Sequence, residues 1–450
     1  MYPLLKVALV LSLFGALAAR AAERLPNIIV IFTDDQGYGD VGVFGAKGYT
    51  TPHLDRLAHT GAMFTNFHVA QAVCSASRAA LLTGCYSNRV GIHGALGPNA
   101  THGLNPQETT IAELLKSRGY ATGMAGKWHL GHNLKAGDAY EPRDQGFDLD
   151  WPHTPKAPGP GGGYLAPWQF IADPAIKDEA GRHVDERMAD EAGKFIRASK
   201  GRPFFVNFWL FSVHSPWNAR KDYIEHFKQK TDPANPQQNP LYAAMVKSLD
   251  DSVGRLLKHL DDSGEADNTI IVYAADNGLA LGSHGLLGKQ SVFEHSMRTP
   301  FIIGGPGIPQ GKSVQAFTYL FDIFPTLCEL TGMTPPAGVF GESVRPLWTG
   351  AKTALRDTVF LPYLQVQRAV RDERWKLIRY PQVDRTQFFD LVADPAERTD
   401  LSGRPEHAAR ITAMTAALAA EMKRVDDPAE LTVASPRPAA WSPPPVRVKK

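Results

Sequence analysis

Two acidic pairs stand where apolar runs end. The run Asn27-Ile28-Ile29-Val30-Ile31-Phe32 leads into Thr33-Asp34-Asp35-Gln36-Gly37, and Thr269 to Ala274 leads into Ala275-Asp276-Asn277-Gly278. Carboxylate and amide oxygens grouped in this way are hard donors, suited to Ca²⁺ or Mg²⁺ rather than zinc. One Asp behind a strand reads more simply as a turn residue or a helix N-cap; two such pairs in one chain shift the balance toward a metal. The pair Asp250-Asp251 differs, because it falls on a helical stripe and reads as a solvated helix face. The other reactive stretch is Cys74-Ser75-Ala76-Ser77-Arg78-Ala79-Ala80-Leu81-Leu82-Thr83-Gly84. Its composition from Ser75 to Leu82 is helix-forming, so Cys74 lies at or just before a helix N-terminus. Partial positive charge and free N–H groups there favour an anion or an anionic nucleophile, and Arg78 follows one turn on. On local chemistry alone, Cys74 reads equally well as a small buried hydrophobe.

Distant segments can meet at one site only if a scaffold aligns their ends. The β-branched run at Asn27–Phe32 has no polar alternation, which predicts a strand buried on both faces, as in a parallel sheet. Similar runs recur at Phe204–Phe211, Thr269–Ala274 and Pro300–Ile303, with a further strand expected at Tyr120–Met124. Between them lie helical patterns. Thr110 and Glu113 form a capping-box pattern with Gly119 as a stop, and Leu241, Met245, Leu249, Val253, Leu256 and Leu260 make one apolar stripe. Alternating strands and helices predict an α/β domain with a mostly parallel central sheet sandwiched by helices, from about 24 to 350. Ligands of such sheets bind beyond the carboxyl ends of the strands, where both acidic pairs fall. From about 351 to 432, short alternating strands and a helix bearing Ile411, Met414, Leu418 and Met422 predict a smaller C-terminal α+β domain. Pro152–Gly163 and Thr231–Pro240 read as loops, and the Pro-rich tail 433–450 as disordered.

Of 450 residues, 48 are Lys or Arg and 46 Asp or Glu, a net charge of +2 that gives no basic excess for general nucleic-acid binding. Lys6 precedes an apolar run from Val7 to Ala19, with small residues near Ala21, so residues 1–21 read as a signal peptide and the mature chain as periplasmic or secreted. The run is shorter than the ~20 residues of a membrane span. Cys74, Cys85 and Cys328 are too few for a disulfide scaffold, fit no zinc motif, and leave one thiol over.

The stretch from Cys74 to Gly84 resembles the sulfatase signature C-x-P/A-S-R-x-x-L-x-x-G, with Ala76 where Pro is commoner. Other motifs follow in the family's order. Asn27–Asp40 resembles its opening strand and acidic pair, Gly126-Lys127-Trp128-His129-Leu130-Gly131 its second signature, and Val213-His214-Ser215-Pro216 its histidine loop. Asp276-Asn277-Gly278 and His284-Gly285-Leu286-Leu287-Gly288-Lys289 resemble its late metal and lysine motifs, and Phe388–Pro395 its C-terminal pattern. The chain is thus similar to formylglycine-dependent sulfatases of the arylsulfatase type, within the alkaline-phosphatase-like superfamily.

The resemblance implies that a maturation enzyme converts Cys74 to formylglycine, whose hydrate attacks the sulfur of a sulfate ester and later expels sulfate. It implies that Asp34, Asp35, Asp276, Asn277 and the modified residue 74 hold one divalent ion, Ca²⁺ with Mg²⁺ as the alternative. Arg78 and Lys127 would orient residue 74. Lys289 and His214 would contact sulfate, His214 would also protonate the leaving alcohol, and His129 would act as a base. His102, His132, His153 and His284 are left as loop histidines. The expected substrate is a sulfated small molecule or saccharide, with Trp128, Tyr164, Trp168 and Trp217 edging its pocket. A phosphodiesterase or phosphonate monoester hydrolase on the same scaffold is the alternative activity, and a non-catalytic binding protein a third reading.

Overall fold

A computed structural model describes residues 24–154, 159–171, 180–229 and 239–439. The expected signal peptide, most of the Thr231–Pro240 loop and the end of the tail lie outside these residues. Among the described residues, no helix is long and apolar enough to cross a membrane.

The strands are β1 Asn27–Thr33, β2 Gly61–Phe64, β3 Phe67–His68, β4 Ala121–Gly126, β5 Leu149–Trp151, β6 Phe204–Trp209 and β7 Thr269–Ala275. They continue with β8 Phe301–Gly304, β9 Lys312–Val314, β10 Thr318–Tyr319, β11 Val359–Tyr363, β12 Gln367–Arg371, β13 Trp375–Tyr380 and β14 Arg385–Asp390. Eight of them form the central sheet in the order β5-β4-β6-β1-β7-β8-β2-β9, with β3 and β10 making a small parallel ribbon. The expected mostly parallel sheet is present, with one difference. The Pro300–Ile303 run becomes β8, which is antiparallel to both neighbours, β7 and β2. Burial on both faces makes parallel and antiparallel central strands read alike in sequence.

Strand β1 shows why the sheet is central. Ile28, Val30 and Phe32 enter one apolar cluster, and Ile29 and Ile31 enter the cluster on the opposite face. Helices Pro240–Ser263 and Val184–Ala198 cover the second face, and helix Cys74–Thr83 lies against the first. Thr110 caps helix Ile111–Ser117 with the expected reciprocal bonds to Glu113, a device worth about 1 kcal/mol.

The C-terminal segment forms the antiparallel sheet β11-β12-β13-β14 and the helix Ala408–Arg424. Met414, Leu418 and Met422 of that helix are buried in the same cluster as Ile28 and Val30, and each contributes roughly 1.5–3 kcal/mol of burial. This small sheet therefore shares the core of the first face. At the tail, Arg437 donates from its backbone and its side chain to Gln382, and Pro240 is the first residue of its helix rather than loop.

Asp250 corrects the solvated-face reading. It is 1% exposed and accepts the N–H groups of His53 (3.2 Å) and Leu54 (3.0 Å) at the start of helix Pro52–His59. The N-cap residue of that helix, Thr51, caps nothing because its hydroxyl is engaged by Gly42 and Asp55. A carboxylate from another helix supplies the acceptor instead. Asp251 is partly exposed and pairs with Lys247.

Candidate active site

Four adjacent strands, β4-β6-β1-β7, run parallel, so their carboxyl ends share one edge. Thr33 is level with Ala275, and Gly126 and Phe32 are both level with Trp209. The next residues of each strand therefore meet: Asp34 and Asp35, Lys127, the 210–214 segment, and Asp276 with Asn277. Gly126 makes this close approach possible. Its φ is +128°, and a Cβ there would lie 1.8 Å from the Trp209 carbonyl oxygen. Gly278 is similarly pressed, with 2.1 Å from a built Cβ to the His295 carbonyl.

Cys74 is the first residue of helix Cys74–Thr83. Its Sγ lies 3.5 Å from Asp34 Oδ1 and 2.9 Å from Lys289 Nζ. One ligand atom each from Asp34, Asp35, Cys74 and Asp276 falls within a 4.8 Å group, and all four residues are buried. Arg78 is fully buried, donating to Asp276 Oδ2 (2.8 Å) and to the Lys127 carbonyl (2.9 Å), with its guanidinium over Phe32 and Trp209. Lys127 pairs with Asp34 and Lys289 with Asp35. Asn277 donates to Asp35 Oδ1 at 2.8 Å, while its own Oδ1 is buried without a partner. His214 stands at the edge, 37% exposed at its side chain, with Nε2 3.8 Å from Asp35 Oδ2. The sequence-predicted site residues are thus brought together, and His129 lies near enough to Lys127, Arg78 and Asp34 to feel their charges. Asp35 and His129 both adopt left-handed backbone, with φ of 67° and 56°; such conformations concentrate at functional sites.

The electrostatics follow from packing three carboxylates into one buried volume. Burial opposes the charge of Asp34, yet Lys127, His214, Arg78 and Lys289 outweigh it and hold its carboxyl well below the usual range. Asp276 goes the other way. Burial and the neighbouring charge of Asp34 push it up to about 7, against the pull of Arg78. Burial also pushes the Cys74 thiol up to about 12, so unmodified Cys74 is a neutral thiol and a poor nucleophile. Lys289 is raised: burial opposes its charge, but the carboxylates of Asp35 and Asp34 outweigh that. An orphaned buried amide oxygen beside three crowded carboxylates fits a hard divalent cation.

His129 is held in one tautomer. Its Nε2 lies 2.7 Å from the Leu96 carbonyl, which can only accept, so Nε2 carries the proton. Nδ1 is then a bare lone pair, buried and without a partner. Burial, then Lys127 and Arg78, keep the ring well below its ordinary pKa, hence neutral. Leu96 is itself fixed by its N–H donating to Ser75 Oγ at 3.0 Å. Sequence reasoning missed this support, as it missed Ser77, which donates to the Asp276 carbonyl. It also missed the supporting role of Tyr164, which donates to the His214 carbonyl at 2.6 Å, and of Asp185, which accepts the Phe211 and Ser212 N–H groups at 3.2 Å. The serines sit inside the Cys74 motif, where a signal existed; Tyr164 and Asp185 carry no local mark.

The aromatic expectation is corrected. Trp128, Tyr164 and Trp168 are buried and pack in the core, with Trp128 stacked on Trp209; Trp217 alone of the four is partly exposed. His132 lies in a loop, as expected, and is buried there. Cys85 and Cys328 are buried free thiols.

A sulfatase family model matches residues 26–333, and a model described as N-sulphoglucosamine sulphohydrolase, C-terminal, matches 282–424. Human N-acetylgalactosamine-6-sulfatase is 34% identical over 360 residues, 71% of this chain and 65% of that protein, so the chain spans just under two thirds of that relative. Human arylsulfatase A is 34% identical over 429 residues, 86% of this chain and 80% of that protein. Among solved structures, Ps i-CgsB in complex with k-i-k-neocarrahexaose superposes with a TM-score of 0.75 at 26% identity, covering 91% of this chain and 94% of that one. A family model that spans the whole central sheet, joined to relatives a third identical across most of the sequence, places this chain in the sulfatase family.

Proposed function

We propose that this protein hydrolyses sulfate esters, releasing inorganic sulfate from a sulfated carbohydrate. The observation that supports it most is Cys74 at a helix N-terminus, between Asp34 and Lys289 and inside the carboxylate cluster. Burial raises its thiol and keeps it neutral in the cation-free site. Formylglycine made from Cys74 by a maturation enzyme would supply, as its hydrate, the oxygen nucleophile. A cation held by Asp34, Asp35, Asp276, Asn277 and residue 74, Ca²⁺ with Mg²⁺ as the alternative, would offset the ester's negative charge and acidify that nucleophile.

The chain's own groups then divide the work. Lys289 and His214, at the open side of the cluster, bind sulfate oxygens, and His214 protonates the departing alcohol. Arg78 and Lys127 hold Asp276 and Asp34 in place from the buried side. His129 would act as the base at Nδ1, the nitrogen left bare by its bond to Leu96, accepting the proton that the residue 74 hydrate gives up as sulfate is expelled. The kinship to N-acetylgalactosamine-6-sulfatase supports a sulfated sugar as substrate. The apolar run Val7–Ala19 supports export to the periplasm or beyond.

Rates measured in parallel on aryl sulfate, aryl phosphate and phosphonate esters, on protein whose residue 74 has been checked by mass spectrometry, test the activity. Sulfate turnover should dominate. Faster phosphonate or phosphodiester turnover would replace this reading with the phosphoryl-type alternative. A panel of defined sulfated saccharides then identifies the sugar.

A further inference from the structure

Lys289 is delivered by an exposed loop, and its Nζ is tethered at the far end by Asp35. Beyond β7 the chain folds back on itself, with the Ala280 N–H donating to the Gly288 carbonyl (2.9 Å) and the Gly282 N–H to the Leu286 carbonyl (2.7 Å). Residues 282–288 are exposed, and Leu287 is 81% exposed. A loop with so few buried contacts opens at low cost, yet its end must keep Lys289 Nζ 2.9 Å from Cys74 Sγ.

The tip of this loop is fastened at one residue. His284 takes a left-handed φ of 55°. Its ring stacks on Phe293 at 4.0 Å and 10°, and its Nε2 lies 3.0 Å from the carbonyl of Glu397. Both partners are themselves anchored. Glu397 is 2% exposed; its carboxylate accepts the Glu294 N–H at 2.7 Å and pairs with Lys376 of β13 at 2.8 Å. Glu294 in turn pairs with Lys376 and with Arg371 of β12. Phe293 packs edge-on against Phe389 of β14. The small C-terminal sheet thus grips the loop that carries Lys289.

We propose that His284 is a positioning residue, a latch through which the C-terminal sheet holds Lys289 against residue 74. The inference rests on the proposed role of Lys289 toward sulfate. Because His284 acts through Lys289, the two substitutions should not add.

The test is a double-mutant cycle on the full chain with His284→Ala, Lys289→Ala and the pair, each with residue 74 occupancy verified, together with His284→Gln. His284→Ala should lower kcat/KM roughly tenfold to a hundredfold, the scale of a misplaced catalytic group. In the Lys289→Ala background it should cost less than about twofold. His284→Gln, which keeps a donor for the Glu397 carbonyl, should recover part of the rate. Amide exchange should speed up at Ala280 and Gly282 in His284→Ala and stay unchanged in β1 and β7. Equal losses in both backgrounds, or unchanged exchange at Ala280 and Gly282, would overturn the latch while leaving the site intact. A Lys289→Ala enzyme at the wild-type rate would overturn both the role of Lys289 and the latch built on it.

Discussion

Titrating chelator-treated protein with a divalent cation across a pH range tests the carboxylate cluster through Asp276. In the cation-free site its carboxyl sits at about 7, raised from 3.8 by burial and the charge of Asp34. The folded value lies above the unfolded one. Between roughly pH 4 and 7 the folded chain therefore holds a proton that the unfolded chain releases, and the stability from that proton is lost as pH rises through about 7. About three pH units at 1.36 kcal/mol each come to on the order of 4 kcal/mol for ionising Asp276 unaided. A cation bound by the carboxylate must displace the proton, so its apparent affinity should climb about tenfold per pH unit up to pH 7 and level off above. Asp34, already ionised, adds no slope. Thermal stability is the wrong readout, because Asp40 and Asp250 are also raised by burial, Asp250 to about 6, and titrate alongside. Calorimetric titration of chelator-treated protein with Ca²⁺ between about pH 5 and 8 isolates the site. Roughly a hundredfold gain from pH 5 to 7 is expected, and Asp276→Asn should flatten it. A flat affinity in the wild type, or an unchanged slope in the Asn variant, would show that Asp276 does not compete for the cation.

Other outcomes follow from the same geometry. Lys289→Ala and His214→Ala should each fold normally and lose on the order of 10²–10³ in kcat on an aryl sulfate, the cost of one preorganised charge stabiliser; near-wild-type rates would move both residues out of the site. Cys74→Ala should fold but turn nothing over, and mass spectrometry of active protein should find formylglycine at position 74; full activity from a wholly thiol preparation would require another mechanism. Asp250→Ala leaves the His53 and Leu54 N–H groups without their acceptor and should lower stability by about 1–3 kcal/mol at unchanged kcat; an unshifted denaturation midpoint would mean that water replaces the carboxylate at no cost.

Several features were legible in the chain because their causes are local. The apolar run of β1 has to be buried on both faces whatever packs on it, and a residue pair directly behind such a strand has to emerge at a sheet edge. The Thr110 capping box and the helix start at Cys74 are likewise short-range geometry. Tertiary packing alone decided the rest. Asp250 looked like a solvent-facing residue until helix Pro52–His59, almost two hundred positions earlier, laid its unsatisfied N–H groups against it. Trp128, Tyr164 and Trp168 looked like a binding rim, but an aromatic ring serves core or cleft equally well, and which one depends on what faces it. The direction of β8 follows from its route back to the sheet, which hydrophobic content does not encode. His284 gained its proposed role from the Phe293 ring and from the Glu397 carbonyl, more than a hundred residues on. Local chemistry marks where a strand ends and a helix begins; which distant group meets that end is set by three-dimensional packing, and the supporting contacts of this site are of that second kind.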